Sequence, residues 1–215
     1  MRIFSANRSA ISGCDEAACA EPLSVGLHAI NNAGSVFGKR VLVMGAGPIG
    51  ALVVGAAKLA GAQEIVAVDL ADAPLAAAVK MGANSTVNAR TEPDRLAWLY
   101  SAEKGYFDAG FECTGVSIAL GNMFPVVKPR GTIVAVGVSS GAHIPFNALV
   151  GKEIRLAGTH RFHAEYPLAA RMIAERRVDV RPIITATLPM DRIRDAFDVV
   201  RDRSSQMKVQ LSFAT

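Results

Sequence analysis

The sequence predicts an α/β fold, a doubly wound six-stranded parallel sheet with helices on both faces. Three observations predict it: short apolar runs that read as strands buried on both sides, their regular alternation with segments of helical periodicity, and a glycine cluster between the first such strand and the first such helix. The chain has 215 residues, 51% of them hydrophobic, which suffices for one large domain with its own core.

In order along the chain, "RVLVMG" (40–45) is a short buried strand, and "GPIGALVVGAAKLAG" (47–61) is a helix that Gly61 ends. "EIVAVDL" (64–70) is the second strand, and "APLAAAVKMGA" (73–83) is a helix closed by Gly82, so the segment is a βαβ unit. The alternation continues with a strand at "STVNA" (85–89), a helix over 94–104, a strand at "YFDAGFECTG" (106–115) and a helix over 117–127. A strand at "GTIVAVGV" (131–138) follows, and after a short helical link comes the sixth strand, "EIRLAGT" (153–159). Beyond it, 164–177 and 189–202 have helical spacing, "IITATL" (183–188) lies between them, and "KVQLSF" (208–213) closes the pattern.

Several classes are excluded by composition. A net charge of +4, with Lys and Arg scattered among acids, argues against a nucleic-acid partner. The run 41–57 carries no charge, yet Gly45, Gly47, Pro48 and Gly50 would break a spanning helix in its middle, so no membrane span is expected. Cys14, Cys19 and Cys113 form neither a CxxC pair nor an even framework, and the first dozen residues lack a secretory apolar stretch. Reduced thiols and a cytoplasmic location are the expectation.

Gly45, Gly47 and Gly50 form G-x-G-x-x-G between a strand and a helix, where the pattern has a mechanism. The first glycine permits a tight turn, the second lets backbone N–H groups approach a diphosphate, and the third lets helix and strand pack closely. Pro48 and Ile49 complete the turn into a helix whose amino end favours phosphate. Asp69 ends the second strand about 20 residues on, placed to accept hydrogen bonds from an adenosine ribose. Its charge would repel a 2′-phosphate, and "LADAPL" (70–75) supplies no Arg or Lys to offset that, so NAD is favoured over NADP. Thr114 and Gly115 end the fourth strand, and Val136, Gly137 and Val138 end the fifth. Ligands gather outside the carboxyl ends of such strands, which places these residues near the nicotinamide, although Gly115 and Gly137 also fit plain turns.

Other features are read more plainly. Tyr100 and Lys104 have the Y-x-x-x-K spacing of a proton-transfer pair but lie between the third and fourth strands, where a surface helix explains them. His160 and His163 lack a Cys or acid at ligand spacing. Glu21 and Pro22 fit a helix start, and Arg161 fits a solvated residue after the sixth strand.

From about Asp15 onward, "AEPLSVGLHA" (20–29), "GKRVLVMGAGPIG" (38–50), "EKGYFDAGFECTG" (103–115), "VGKEIRLAGTHRF" (150–162) and "KVQLSF" resemble the cofactor-binding half of zinc-dependent medium-chain dehydrogenases, in their polyol branch. The resemblance implies oxidation of a secondary alcohol of a polyol or sugar acid to a ketone, with hydride passing to NAD and zinc polarising the alcohol oxygen. It also implies that Glu21 sits by that zinc or its water, that Arg161 lines the substrate and cofactor cleft, and that the sixth strand pairs edge to edge in a homodimer. The family's amino-terminal catalytic domain, with its cysteine and His-Glu zinc ligands, has no counterpart here, and the chain contains no His-Glu dipeptide. One carboxylate cannot hold catalytic zinc, so zinc is expected for the family but not for this chain alone. The expected organisation is an unassigned segment at 1–14 and a Rossmann domain at 15–215. Two functions compete: the NAD half of a dehydrogenase completed from elsewhere, and a stand-alone NAD(H)-binding module without chemistry.

Overall fold

The structure, a computed structural model, describes residues 13–213. The segment assigned to no domain therefore lies almost wholly outside the described residues. A short helix α1 (Cys14–Ala17) leads into α2 (Ala20–Ala33), after which the alternation begins: β1 (Arg40–Met44), α3 (Pro48–Leu59), β2 (Glu64–Asp69), α4 (Asp72–Met81), β3 (Ser85–Asn88), α5 (Arg95–Tyr100) and β4 (Phe107–Glu112). Then come α6 (Ser117–Val126), β5 (Val127–Ala135), α7 (Phe146–Gly151) and β6 (Arg155–Gly158). The six strands form one parallel sheet in the order β3-β2-β1-β4-β5-β6. Strand order reverses between β1 and β4, so a crevice opens at their carboxyl ends.

Why these strands need helices on both sides is visible in their side chains. Val41, Val43, Ile65, Ala67 and Phe111 face one core, built with α2, α3 and α8 (Tyr166–Ala174). Leu42, Met44, Val66, Val68 and Ile133 face the other, where Leu96 of α5 and Leu120, Met123 and Phe124 of α6 meet them. A period of two across the sheet thus feeds two cores, and the uncharged run 41–57 is divided between β1 and α3. Among the described residues no helix is long and apolar enough to cross a membrane.

Two local departures from the sequence reading have physical causes. The helix expected over 94–104 stops at Tyr100, whose ring packs 5.1 Å from Tyr106 and 4.8 Å from Phe107. A 3₁₀ turn follows, with Glu103 and Lys104 at φ 52° and 69°, so Tyr100 and Lys104 share no helix. The fifth strand starts at Val127, four residues early, because α6 runs into it directly. Lys152 Nζ makes this junction possible by donating to the carbonyls of Phe124 (2.7 Å), Pro125 (3.0 Å) and Val127 (2.8 Å). Carbonyls at a helix end need such a donor. Outside the six-stranded sheet, as the sequence reading had it, β7 (Ile184–Pro189) and β8 (Lys208–Ser212) pair with each other, parallel, with α9 (Ile193–Val199) between them. They are moored to α1: Gln210 Nε2 donates to Asp15 O (3.0 Å) and Thr187 Oγ1 to Asp15 Oδ2 (3.1 Å), while the largely buried Glu16 carboxylate of the same helix pairs with Arg176, just after α8.

Candidate functional site

Most of the predicted site residues meet at the carboxyl edge of the sheet. Gly45 leaves β1 at φ +92°, and a Cβ there would lie 2.6 Å from Thr114 Cγ2. A Cβ on Gly50 would lie 1.7 Å from the carbonyl oxygen of Gly45, so the first turn of α3 rests on its own loop and tolerates only glycine. Gly47 differs. Its φ of −56° suits any residue, and a Cβ built there meets nothing within 4 Å. No contact within the protein demands glycine at this position; the backbone simply faces open space. Pro48 opens α3, where it lacks an N–H, and Ile49 packs on the core beneath. Among the described residues the amides of Gly47, Ile49 and Gly50 find no backbone acceptor, as the first turn of a helix leaves them.

Asp69 does more than the sequence reading assigned to it. Its Oδ2 accepts from the Ala46 amide (2.7 Å), and its Oδ1 from Leu70 N–H (2.7 Å) and Ala71 N–H (3.1 Å). The carboxylate therefore fixes the glycine loop to the end of β2. An ionised carboxylate offers about four acceptor positions, so one remains for a sugar hydroxyl.

The second half of the crevice is organised by Glu112, which the sequence reading passed over. This carboxylate is 3% exposed at the end of β4. Its Oε1 accepts from Thr114 N–H (2.7 Å), the Thr114 hydroxyl and Gly115 N–H (3.0 Å), while its backbone carbonyl accepts from Val136 N–H (2.8 Å) and Gly137 N–H (2.9 Å). The two loops touch: a Cβ on Gly137 would lie 2.1 Å from Gly115 N, and one on Gly115 would lie 2.5 Å from Val138 O. Close approach of two strand ends is thus why both positions are glycine. Val138 itself is 88% exposed at the mouth. The signal that could have revealed Glu112 is an acid inside an apolar strand, since a buried charge requires partners.

Arg161 lies in the loop after β6, exposed, with φ 53°. That loop is fastened to the carboxyl end of α2. Asn32 Nδ2 donates to Thr159 Oγ1 (2.9 Å), and Glu165 accepts from His28 Nδ1 (2.9 Å), Asn31 Nδ2 (2.9 Å) and His163 N–H (2.7 Å). Burial works to raise the Glu165 pKa, but these donors outweigh it and hold the group down at about 2. Glu21 is exposed in the first turn of α2, with Pro22 buried beside it, as a helix start requires. Ten residues separate Glu21 from Asn31, about 15 Å along the helix axis. Among the described residues neither Glu21 nor Arg161 has an ion-pair or side-chain hydrogen-bond partner, and the structure does not join them directly.

No three His, Cys, Asp or Glu side chains cluster as a metal site among the described residues, and His160 and His163 lie exposed in the Arg161 loop. Burial, with the neighbouring Glu112 charge adding to it, pushes the Cys113 thiol well above its ordinary range, and burial raises Cys19 too. Thiols held protonated in this way are inert.

Together the strand order, the reversal crevice and the glycine loop define a doubly wound domain of the Rossmann type. Residues 48–175, more than half of the chain, match the zinc-binding dehydrogenase family, and the chain belongs to that family. It is 39% identical over 197 residues to the L-idonate 5-dehydrogenase (NAD(P)(+)) of Escherichia coli K12, covering 91% of this chain and 57% of the relative. It is 32% identical over 200 residues to the sorbitol dehydrogenase of Gallus gallus, covering 92% and 56%. The crystal structure of the Escherichia coli L-idonate 5-dehydrogenase superposes with a TM-score of 0.85 at 38% identity, over 92% of this chain and 57% of that one. The chain thus spans a little over half the length of the curated relatives it matches.

Proposed function

We propose that this chain is the NAD-binding half of a dehydrogenase that oxidises a secondary alcohol of a polyol or a sugar acid of the L-idonate kind to a ketone. One observation carries the reading: a glycine that no protein contact requires faces open space between unpaired amides, and a carboxylate with acceptor capacity to spare lies at the end of the next strand. The amides of Gly47, Ile49 and Gly50 would hold the diphosphate, and Asp69 the adenosine ribose. Thr114, Gly115, Val136, Gly137 and Val138 would wall the nicotinamide end, with Glu112 keeping the two loops in place. When bound, NAD supplies the hydride acceptor. The names of the relatives in Escherichia coli and Gallus gallus support the substrate class.

Catalytic zinc does not fit the described residues, since such sites take about three protein ligands. We assign its ligands to a catalytic segment outside this set and derive no step through it. Glu21 and Arg161, exposed and without charged partners, are assigned to the substrate side of that shared cleft. The edge position of β6, which among the described residues pairs with β5 alone, supports a homodimer joined through that strand.

The test has two arms. NADH should bind the isolated chain, and Asp69→Ala should weaken it at least tenfold, because the ribose contact and the tether to Ala46 are lost together. A panel of polyols and sugar acids with NAD⁺ and added zinc should give little turnover from this chain alone. A wild type that ignores NADH would overturn the reading. Binding that never leads to turnover, even with a zinc-bearing partner segment, would favour a stand-alone NAD(H)-binding module.

A further inference from the structure

The amino-terminal edge of the main sheet, opposite the glycine loop, holds an open cleft of about 380 Å³ that the dinucleotide reading leaves unused. It lies where β1, β4 and β5 begin: Arg40 opens β1, Tyr106 immediately precedes β4, and Lys128 follows the first residue of β5. Gly45 is about 16 Å from Arg40 along the extended strand, so the two sites share β1 but not a ligand. One wall of the cleft is a turn held in a single conformation. Glu103 and Lys104 are left-handed at φ 52° and 69°, Gly105 follows at φ 118°, and a Cβ on Gly105 would lie 2.6 Å from Val127 O. Gly105 N–H donates to Ala102 O (2.9 Å) and Tyr106 N–H to Val126 O (2.7 Å), which fastens the turn against the start of β5.

Most polar groups around the cleft are spent on one another, and what is left over defines the ligand. Tyr106 donates its hydroxyl to Glu64 Oε2 (2.7 Å). Asp108 accepts from Arg40 N–H (2.9 Å) at Oδ2 and from Lys128 Nζ (2.9 Å) at Oδ1. The Arg40 guanidinium lies on the Tyr106 ring, with Cζ 4.3 Å from the centroid, and among the described residues it has no ion pair or hydrogen bond of its own. Stacking uses the face of a guanidinium and leaves its edge N–H donors free. Lys128 also keeps N–H donors to spare after Asp108. The cleft thus offers unspent donors from two cations, apolar surface from Ala102 and Pro129, and an acid, Glu103, at its exposed rim. A carboxylate on an apolar body meets all three features, because the arginine fork matches the carboxylate edge. A second negative charge on the ligand would meet Glu103.

We propose that this cleft is a binding site for a small monocarboxylic acid with an apolar body, its carboxylate held by the Arg40 fork and supported by Lys128. The site stands apart from the dinucleotide assignment and does not rest on it.

Fluorine NMR titration of the full chain with fluorobenzoate, and with the neutral fluorobenzamide as control, tests it. Fluorobenzoate should bind, and the amide should bind at least about fivefold more weakly. Arg40→Met should weaken fluorobenzoate about tenfold or more, and Arg40→Lys should lose only part of that. Glu103→Gln changes an exposed side chain with no hydrogen bond or ion pair among the described residues. It should tighten fluorobenzoate about twofold, because it removes the negative charge at the rim, and added salt should shrink that gain. Should Arg40→Met fail to fold, the Arg40→Lys and Glu103→Gln shifts decide the matter alone. Absence of binding to wild type, or equal binding of acid and amide, would overturn the site. So would wild-type affinity in the Arg40 variants, the result expected of an acid lodged in the glycine loop, or weaker binding in Glu103→Gln.

Discussion

Gly47→Ala separates the needs of the fold from the needs of a ligand. The backbone at Gly47 has an ordinary φ of −56°, and the added methyl would meet no atom within 4 Å. Alanine reduces the freedom of the unfolded chain, worth about 0.4–1 kcal/mol, and is a slightly poorer helix cap than glycine by a similar amount, so the two nearly cancel. The melting temperature should therefore move by no more than about 4 °C. On the proposed reading, the same methyl would stand where a diphosphate touches the amides of residues 47, 49 and 50. Loss of one charge-assisted hydrogen bond costs about 1.5–3 kcal/mol, or roughly 10- to 150-fold in NADH affinity. Calorimetry and a thermal melt on one preparation measure both quantities. Gly50→Ala is the contrast, because its methyl would sit 1.7 Å from Gly45 O and should cripple folding. A Gly47→Ala variant that binds NADH like wild type would refute the reasoning, and so would one that unfolds.

Glu112→Gln keeps the shape of the buried side chain but loses the charge that gathers Thr114 and Gly115. It should cost about 1–3 kcal/mol in denaturant titrations and weaken NADH binding through the displaced loop. Lys152→Met removes the donor to three carbonyls at the junction of α6 and β5 and should cost about 1.5–3 kcal/mol, read from the urea midpoint. Glu165 titrates at about 2 in the folded chain against an ordinary 4.5. Its stabilising contribution is complete above pH 4.5 and is lost as pH falls toward 2. Wild type should shed about 1–3 kcal/mol across that window through this group, and Glu165→Gln should be less stable at pH 7 and flatter below pH 4.5.

The parts of this molecule that were legible in the sequence are those written in short spans. The alternation of strand and helix, the glycine spacing and the acid about 20 residues on are all set by neighbours along the chain, and the sheet follows them. What stayed hidden depends on residues far apart in sequence. The clasp of His28 by Glu165 and of Glu16 by Arg176 joins residues 137 and 160 positions apart, and no local pattern encodes either pairing. The segment "GKEIRLAG" stood out for its resemblance, yet its lysine is explained only when Phe124, Pro125 and Val127 are seen to end on it. Glu112 was hidden for a different reason. An acid inside an apolar strand signals a buried charge, but the loop of Val136 and Gly137 that closes over it comes from the next strand. The pairing of β7 with β8 was equally opaque, because two isolated apolar runs name no partner.

The most direct test of the account is a crystal structure of the chain grown with NAD⁺. The account predicts diphosphate oxygens within hydrogen-bonding distance of the amides of Ile49 and Gly50, with an adenosine ribose hydroxyl on the Asp69 carboxylate. Full occupancy of the dinucleotide elsewhere on the molecule, or an adenosine ribose remote from Asp69, would contradict it.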